Sequence, residues 1–103
     1  MPPDPKPWLG RTIGRSPAQN AQVQADAAWA NQQGAKNILI DQQQVNARGI
    51  RVGINRPDLQ YTLNGTRNYI EYERTYFDGR GIAHETRILA NDPDGVVITK
   101  IIR

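Results

Sequence analysis

The sequence contains no cysteine, a single histidine at position 84, one methionine, one phenylalanine and no long apolar run. Without cysteine, disulfides and thiolate metal sites are excluded. That fits a reducing compartment without requiring one. No stretch of apolar residues is long enough for a membrane-spanning helix, and the first residues have no signal-peptide core. Hydrophobic residues are also scarce, at 38%, so a thin core is expected. The 103 residues suffice for one domain and not two. The net charge of +3 mildly favours a polyanionic partner.

What is present begins with Met1-Pro2-Pro3-Asp4-Pro5-Lys6-Pro7-Trp8. Residues 1–15 read as a proline-rich linker or disordered lead-in to a longer chain, and residues 16–103 as the domain. Ser16 suits an N-cap, Pro17 the first helical position, and Gln19 a capping box. The helix runs to Gln33, where Gly34 stops it. Val23, Ala27 and Ala30 form its apolar stripe, with Trp29 near the edge. Asn37 to Asp41 suits a strand, and Ile50-Arg51-Val52 extends or restarts one. Gly79 and Gly81 bracket Arg80 in a turn. Ile82 to Ala90 reads as a second helix with Ile82, Thr86 and Leu89 on one face. Asn91-Asp92-Pro93-Asp94-Gly95 ends it, and Val96 to Ile102 closes the chain as a buried strand. The element order is helix, strand, strand, strand, helix, strand, which gives an α/β domain.

The strongest local signal is Asn64-Gly65, a hairpin turn between two alternating runs. A two-residue turn fixes the register. Leu63 lies opposite Thr66, Tyr61 opposite Asn68, Gln60 opposite Tyr69, Leu59 opposite Ile70, and Asp58 opposite Glu71. Alternation puts Leu59, Tyr61, Leu63, Ile70 and Tyr72 on the core face, and Asp58, Gln60, Tyr69, Glu71 and Glu73 on the other. Two carboxylates with Cβ atoms roughly 4.5–5.5 Å apart repel each other. A shared proton, an intervening arginine or a bridging divalent cation offsets that. Removing either carboxylate should therefore hold or raise stability without metal. A magnesium ion takes one or two carboxylates, waters and substrate phosphate oxygens, and Asp58 with Glu71 match that need. The plainer reading is an exposed face with scattered charges, where Arg56 pairs with Glu73.

Pro57-Asp58, twelve residues, then Glu71-Tyr72-Glu73 resembles the signature of PD-(D/E)XK nucleases. That resemblance implies a restriction-endonuclease-like αβββαβ core, with a mixed four-stranded sheet and two helices. Arg56 to Leu63, Tyr69 to Glu73, His84, and Arg87 to Pro93 together look like C-terminal toxin domains of bacterial polymorphic toxins, such as Rhs-repeat effectors. The resemblance implies a Mg²⁺- or Mn²⁺-dependent endonuclease acting on DNA. It implies delivery into a competing bacterium on a larger upstream polypeptide, action in that cell's cytoplasm, and neutralisation at home by an immunity protein. It puts Asp58 and Glu71 at the metal. Glu73 stands where the family has lysine, so it becomes a general base or further ligand, or else a cation from Arg74, Arg87 or Lys100 substitutes.

His84 can share a helix face with Arg87 and donate to phosphate, shuttle a proton or ligate metal. Gln60 is a candidate to orient the attacking water. Arg56, Arg74 and Arg87 are candidates for phosphate contact, and Tyr69 for stacking. Gln42, Gln43 and Gln44 read as groove contacts or a solvated loop. The same fold also admits an inactive nucleic-acid- or protein-binding module, or a ribonuclease toxin.

Overall fold

The computed structural model describes residues 6–75 and 79–103; the first prolines of the expected lead-in lie outside the described residues. The elements are α1 (Pro17–Gln32), β1 (Lys36–Ile40), β2 (Leu59–Leu63), β3 (Thr66–Glu73), α2 (Arg80–Asn91) and β4 (Val96–Ile101). Two helices and a four-stranded mixed sheet make an α/β fold. The strand order is β1-β2-β3-β4, antiparallel between the first three and parallel between β3 and β4. A helical crossover through α2 is what a parallel pair requires.

α1 starts as its sequence dictates. The Ser16 side chain accepts the Gln19 N–H at 3.2 Å, with Pro17 at the first helical position. The Gln19 amide does not close a capping box; it reaches the Ile102 carbonyl at 3.3 Å. Val23, Ala27 and Ala30 are buried against Ile38, Ile40, Leu59, Tyr61, Ile70 and Tyr72. Full burial of each large aliphatic contributes about 1.5–3 kcal/mol. Trp8 joins this core, and its carbonyl accepts from the Gln24 amide at 2.8 Å. Trp8 is therefore packed onto the domain well before residue 16.

The hairpin register is the expected one, with Leu59 opposite Ile70, Gln60 opposite Tyr69 and Leu63 opposite Thr66. Asn64 and Gly65 have φ of 52° and 80°, the positive values a tight hairpin turn needs.

Four expectations are corrected. The face bearing Gln60, Tyr69 and Glu71 is not open: all three residues are buried, under α2 and the segment 42–55. That segment holds no regular strand at Ile50-Arg51-Val52, only an isolated bridge between Val45 and Arg51. α2 begins at Arg80, on Gly79, and buries Gly81 and Ile88 while Ile82 and Leu89 are exposed. Its sheet-facing side lies over polar side chains, so its most apolar stripe is not the one it buries. β4 is an edge strand, with Val96 at 42% and Ile98 at 40% exposure, because α1 packs on β1 and β2. No helix among the described residues is long and apolar enough to cross a membrane.

A buried polar layer joins the loop 42–55 to the sheet. Arg67 donates to the carbonyls of Val45 (3.2 Å) and Asn37 (2.9 Å), to Thr62 Oγ1 (3.2 Å) and to Gln60 Oε1 (2.9 Å). Burial lowers its guanidinium to about 10, opposed by the nearby Tyr69 and Asp92. The Tyr69 hydroxyl lies 2.6 Å from Asp92 Oδ2 and 2.7 Å from the Val45 carbonyl. Buried polar groups are tolerable when satisfied in this way.

Candidate active site

One step beyond the Leu59–Ile70 pair, the antiparallel register brings Asp58 beside Glu71. Asp58 is pinned from two sides: its Oδ2 accepts the Tyr72 N–H at 2.9 Å, and its carbonyl accepts the Asp41 N–H at 3.1 Å. The Glu71 side chain is buried and hydrogen-bonded to that of Asp58. Burial pushes the Glu71 carboxyl up to about 9, with the charge of Asp58, the Asp58 hydrogen bond and the charge of Glu73 adding to the rise. Asp58 is raised as well, chiefly by burial, against the opposing hydrogen bonds from Tyr72 and Glu71. Burial and mutual repulsion thus raise both carboxyls, which favours a proton shared by the pair.

The pair lies in a cavity of about 250 Å³, lined also by Asn55, Arg56, His84, Arg87 and Ile88. Arg56 is steadied by Asp41, through a 3.3 Å ion pair from Nε and a 2.6 Å hydrogen bond to the carbonyl. It does not pair with Glu73. Glu73 instead meets His84, with 3.4 Å between Oε1 and Nδ1. α2 is held at this height by two connections. The Gln44 amide donates to the Ile88 carbonyl at 3.0 Å and accepts from Asn91 at 3.2 Å, and Thr99 hydrogen-bonds Glu85.

Five of the expected residues, Asp58, Glu71, His84, Arg56 and Arg87, therefore line one cavity, and Glu73 reaches it through His84. Others do not. Gln60 Oε1 accepts from the Val45 N–H (3.0 Å) and from Arg67 (2.9 Å), and its amide donates to the carbonyls of Gln42 and Gln43 (both 3.1 Å). Its polar atoms are committed to the interior and leave nothing to orient a water. Arg74 is exposed at the end of β3 and is not among the cavity's lining residues. Lys100 lies on the opposite face, 2.9 Å from Asp26, so it is no substitute for the missing lysine. Tyr69 is buried and unable to stack on a ligand. Gln44 is buried, and Gln43 donates to the Gly53 carbonyl at 2.7 Å.

Asn55 and Ile88 line the cavity without having been singled out. The adjacency of Asn55 to Arg56-Pro57-Asp58 was the available signal. Among the described residues, no group of three or more His, Cys, Asp or Glu is disposed to hold a metal. Two adjacent carboxylates still fit a hard divalent ion whose shell is completed by waters and phosphate oxygens. No known protein family, curated protein or solved structure matches the chain.

Proposed function

We propose that the protein is a divalent-metal-dependent endonuclease that hydrolyses phosphodiester bonds of DNA. The observation that carries this reading is the Asp58–Glu71 pair, forced to share a proton in a cavity walled by Arg56 and Arg87. A site with one such proton can exchange it for a cation, and its arginines suit phosphate.

Arg56 and Arg87 take the phosphate. Arg56 enters that contact already oriented by Asp41, which reduces the ordering cost. Glu73 holds His84 at Nδ1, leaving Nε2 to take a proton from the attacking water or return one to the leaving oxygen. This gives the chain an acid–base group where the family motif would supply lysine. Glu71 must first release its proton for Asp58 and Glu71 to bind Mg²⁺ or Mn²⁺. When bound, the ion supplies polarisation of a phosphoryl oxygen and a more acidic water.

The resemblance to polymorphic toxin tails extends the reading to an interbacterial toxin. It would be carried by a larger delivery polypeptide, act in the target cytoplasm and be silenced by a cognate immunity protein.

The test is incubation of purified protein with supercoiled plasmid and with total RNA, each with Mg²⁺ and with EDTA. Nicking and linearisation of plasmid in Mg²⁺ alone is expected. Cleavage of RNA but not plasmid would move the substrate to RNA. Cleavage of neither would leave a binding module.

A further inference from the structure

We propose that Ile54 is an apolar wedge that packs against the bases of the nucleic-acid strand as it leaves the cavity; this rests on the nuclease reading above. Ile54 is 90% exposed, more than any other large hydrophobic among the described residues. A single exposed aliphatic is ordinarily unremarkable. This one differs in how firmly it is presented and in what surrounds it.

The backbone on both sides of Ile54 is tied down. The Asn55 carbonyl accepts the Gln44 N–H at 2.8 Å, and the Val52 N–H donates to the Gln44 carbonyl at 3.0 Å. The Gly53 carbonyl accepts from Gln43 at 2.7 Å. Gly53 has φ +75°, and the Asn91 side chain occupies the space where a Cβ would stand. Only glycine lets the loop lie this close to the end of α2. Three hydrogen bonds and a close backbone approach thus hold an isoleucine out into solvent.

The surroundings select the ligand. A second groove of about 380 Å³ is lined by Gly53, Ile54, Asn55, Arg87, Ala90 and Asn91. It shares Asn55 and Arg87 with the carboxylate cavity. A chain whose phosphate sits between Arg56 and Arg87 continues past Asn55 into this groove and meets Ile54. No carboxylate lines the groove; Arg87 does, and Arg56 lines the adjoining cavity. Cations beside a rigid apolar tip complement a polyanion that also offers flat apolar faces. Isoleucine is among the side chains that wedge against or between base steps.

The experiment measures binding to a DNA duplex carrying 2-aminopurine, by anisotropy and by fluorescence of the probe base. Parent and Ile54→Ala proteins are compared, both also carrying Glu71→Gln to stop cleavage. Ile54→Ala should bind about tenfold more weakly, the effect of losing one buried aliphatic contact. It should give a smaller rise in 2-aminopurine fluorescence and keep the parent's dependence on salt, because no phosphate contact is lost. Arg87→Ala should instead lower the salt slope by about one. Unchanged melting temperature for Ile54→Ala checks the fold, since the side chain touches solvent. Equal affinity and equal probe fluorescence for Ile54→Ala overturn the wedge and leave the nuclease reading intact. Absence of DNA binding by the Glu71→Gln protein, together with absence of plasmid cleavage by the unsubstituted protein, overturns both.

Discussion

Asp58 and Glu71 face each other across the hairpin and are joined by a hydrogen bond between their side chains. The contact follows from a register set by the Asn64-Gly65 turn and from burial that keeps one carboxyl protonated. Asp58 carries a second duty, as acceptor of the Tyr72 N–H. The two acids are therefore not equivalent, and their substitutions should separate catalysis from stability.

Glu71→Gln keeps a donor toward Asp58 and does not titrate, so its melting temperature without metal should match the parent at acid pH and exceed it at neutral pH, while plasmid cleavage in Mg²⁺ is abolished. Asp58→Asn should likewise lose cleavage with little change in stability. Asp58→Ala should lose about 1–3 kcal/mol, because the Tyr72 N–H is left without its acceptor. The Glu71 carboxyl costs stability at neutral pH, because the fold must take up a proton that the unfolded chain has released, whereas Asp58 supports the fold through the Tyr72 N–H. Urea unfolding and plasmid nicking measure both effects; parental cutting by Glu71→Gln would falsify the metal-site reading.

Stability without metal should depend on pH through Glu71. Its carboxyl titrates near the ordinary 4.5 in the unfolded chain and near about 9 in the fold. Between those values the folded state holds a proton that the unfolded state has released, so stability falls as pH rises. The contribution is complete below the unfolded value and gone above the folded one. One proton sets the slope at no more than about 1.4 kcal/mol per pH unit. Melting curves in EDTA should show the decline, and Glu71→Gln should flatten it. A parent curve as flat as that of Glu71→Gln would show that the proton is not there.

The 3.4 Å approach of Glu73 to His84 makes them one unit. General acid–base groups contribute roughly 10²–10⁴-fold to rate, so His84→Ala should fall within that range. Glu73→Ala should cost less, and the double variant should resemble His84→Ala alone, because Glu73 acts by orienting the imidazole. Single-turnover cleavage of a labelled duplex gives these rates. Losses that multiply in the double variant would show independent roles.

The hairpin and the start of α1 were legible because their signals are local. Asn-Gly fixes a turn, alternation carries the register outward, and Ser16-Pro17 caps a helix. The covering of the second sheet face was not legible. Residues 42–55 have no periodic pattern, and Gln44, Gln60 and Arg67 are residue types that normally face water. They are buried because most of their partners lie 15 to 47 residues away in the chain, pairings that a local window does not contain. β4 misled in the opposite direction: Val96-Val97-Ile98 reads as interior, yet its position at the sheet edge leaves Val96 and Ile98 exposed. The acidic pair was readable from the hairpin register, while Arg56, His84 and Arg87 were singled out with the family resemblance. Asn55 was signalled only by its adjacency to Arg56-Pro57-Asp58, which carries no chemistry of its own.

The last prediction concerns a partner. A nuclease carried by the cell that makes it must be silenced there, and the cheapest means is a protein seated over the carboxylate cavity. Arg56 and Arg87 line that cavity, and Arg74 is exposed at the end of β3. A blocking protein should therefore be acidic and present its own carboxylates where phosphate would lie. Association should be fast and should slow as salt rises, and Arg87→Ala should weaken that salt dependence. Affinity should concentrate in a few desolvated anchors rather than spread over the contact area. The test is expression of the domain in bacteria with and without the cognate partner, followed by hydrogen exchange on the complex. Toxicity relieved by the partner, with protection over the loop 42–55 and the face of α2 bearing His84 and Arg87, is the expected result. Harmless expression of folded, active protein, or a partner that protects the α1 face and leaves the cavity open, would overturn it.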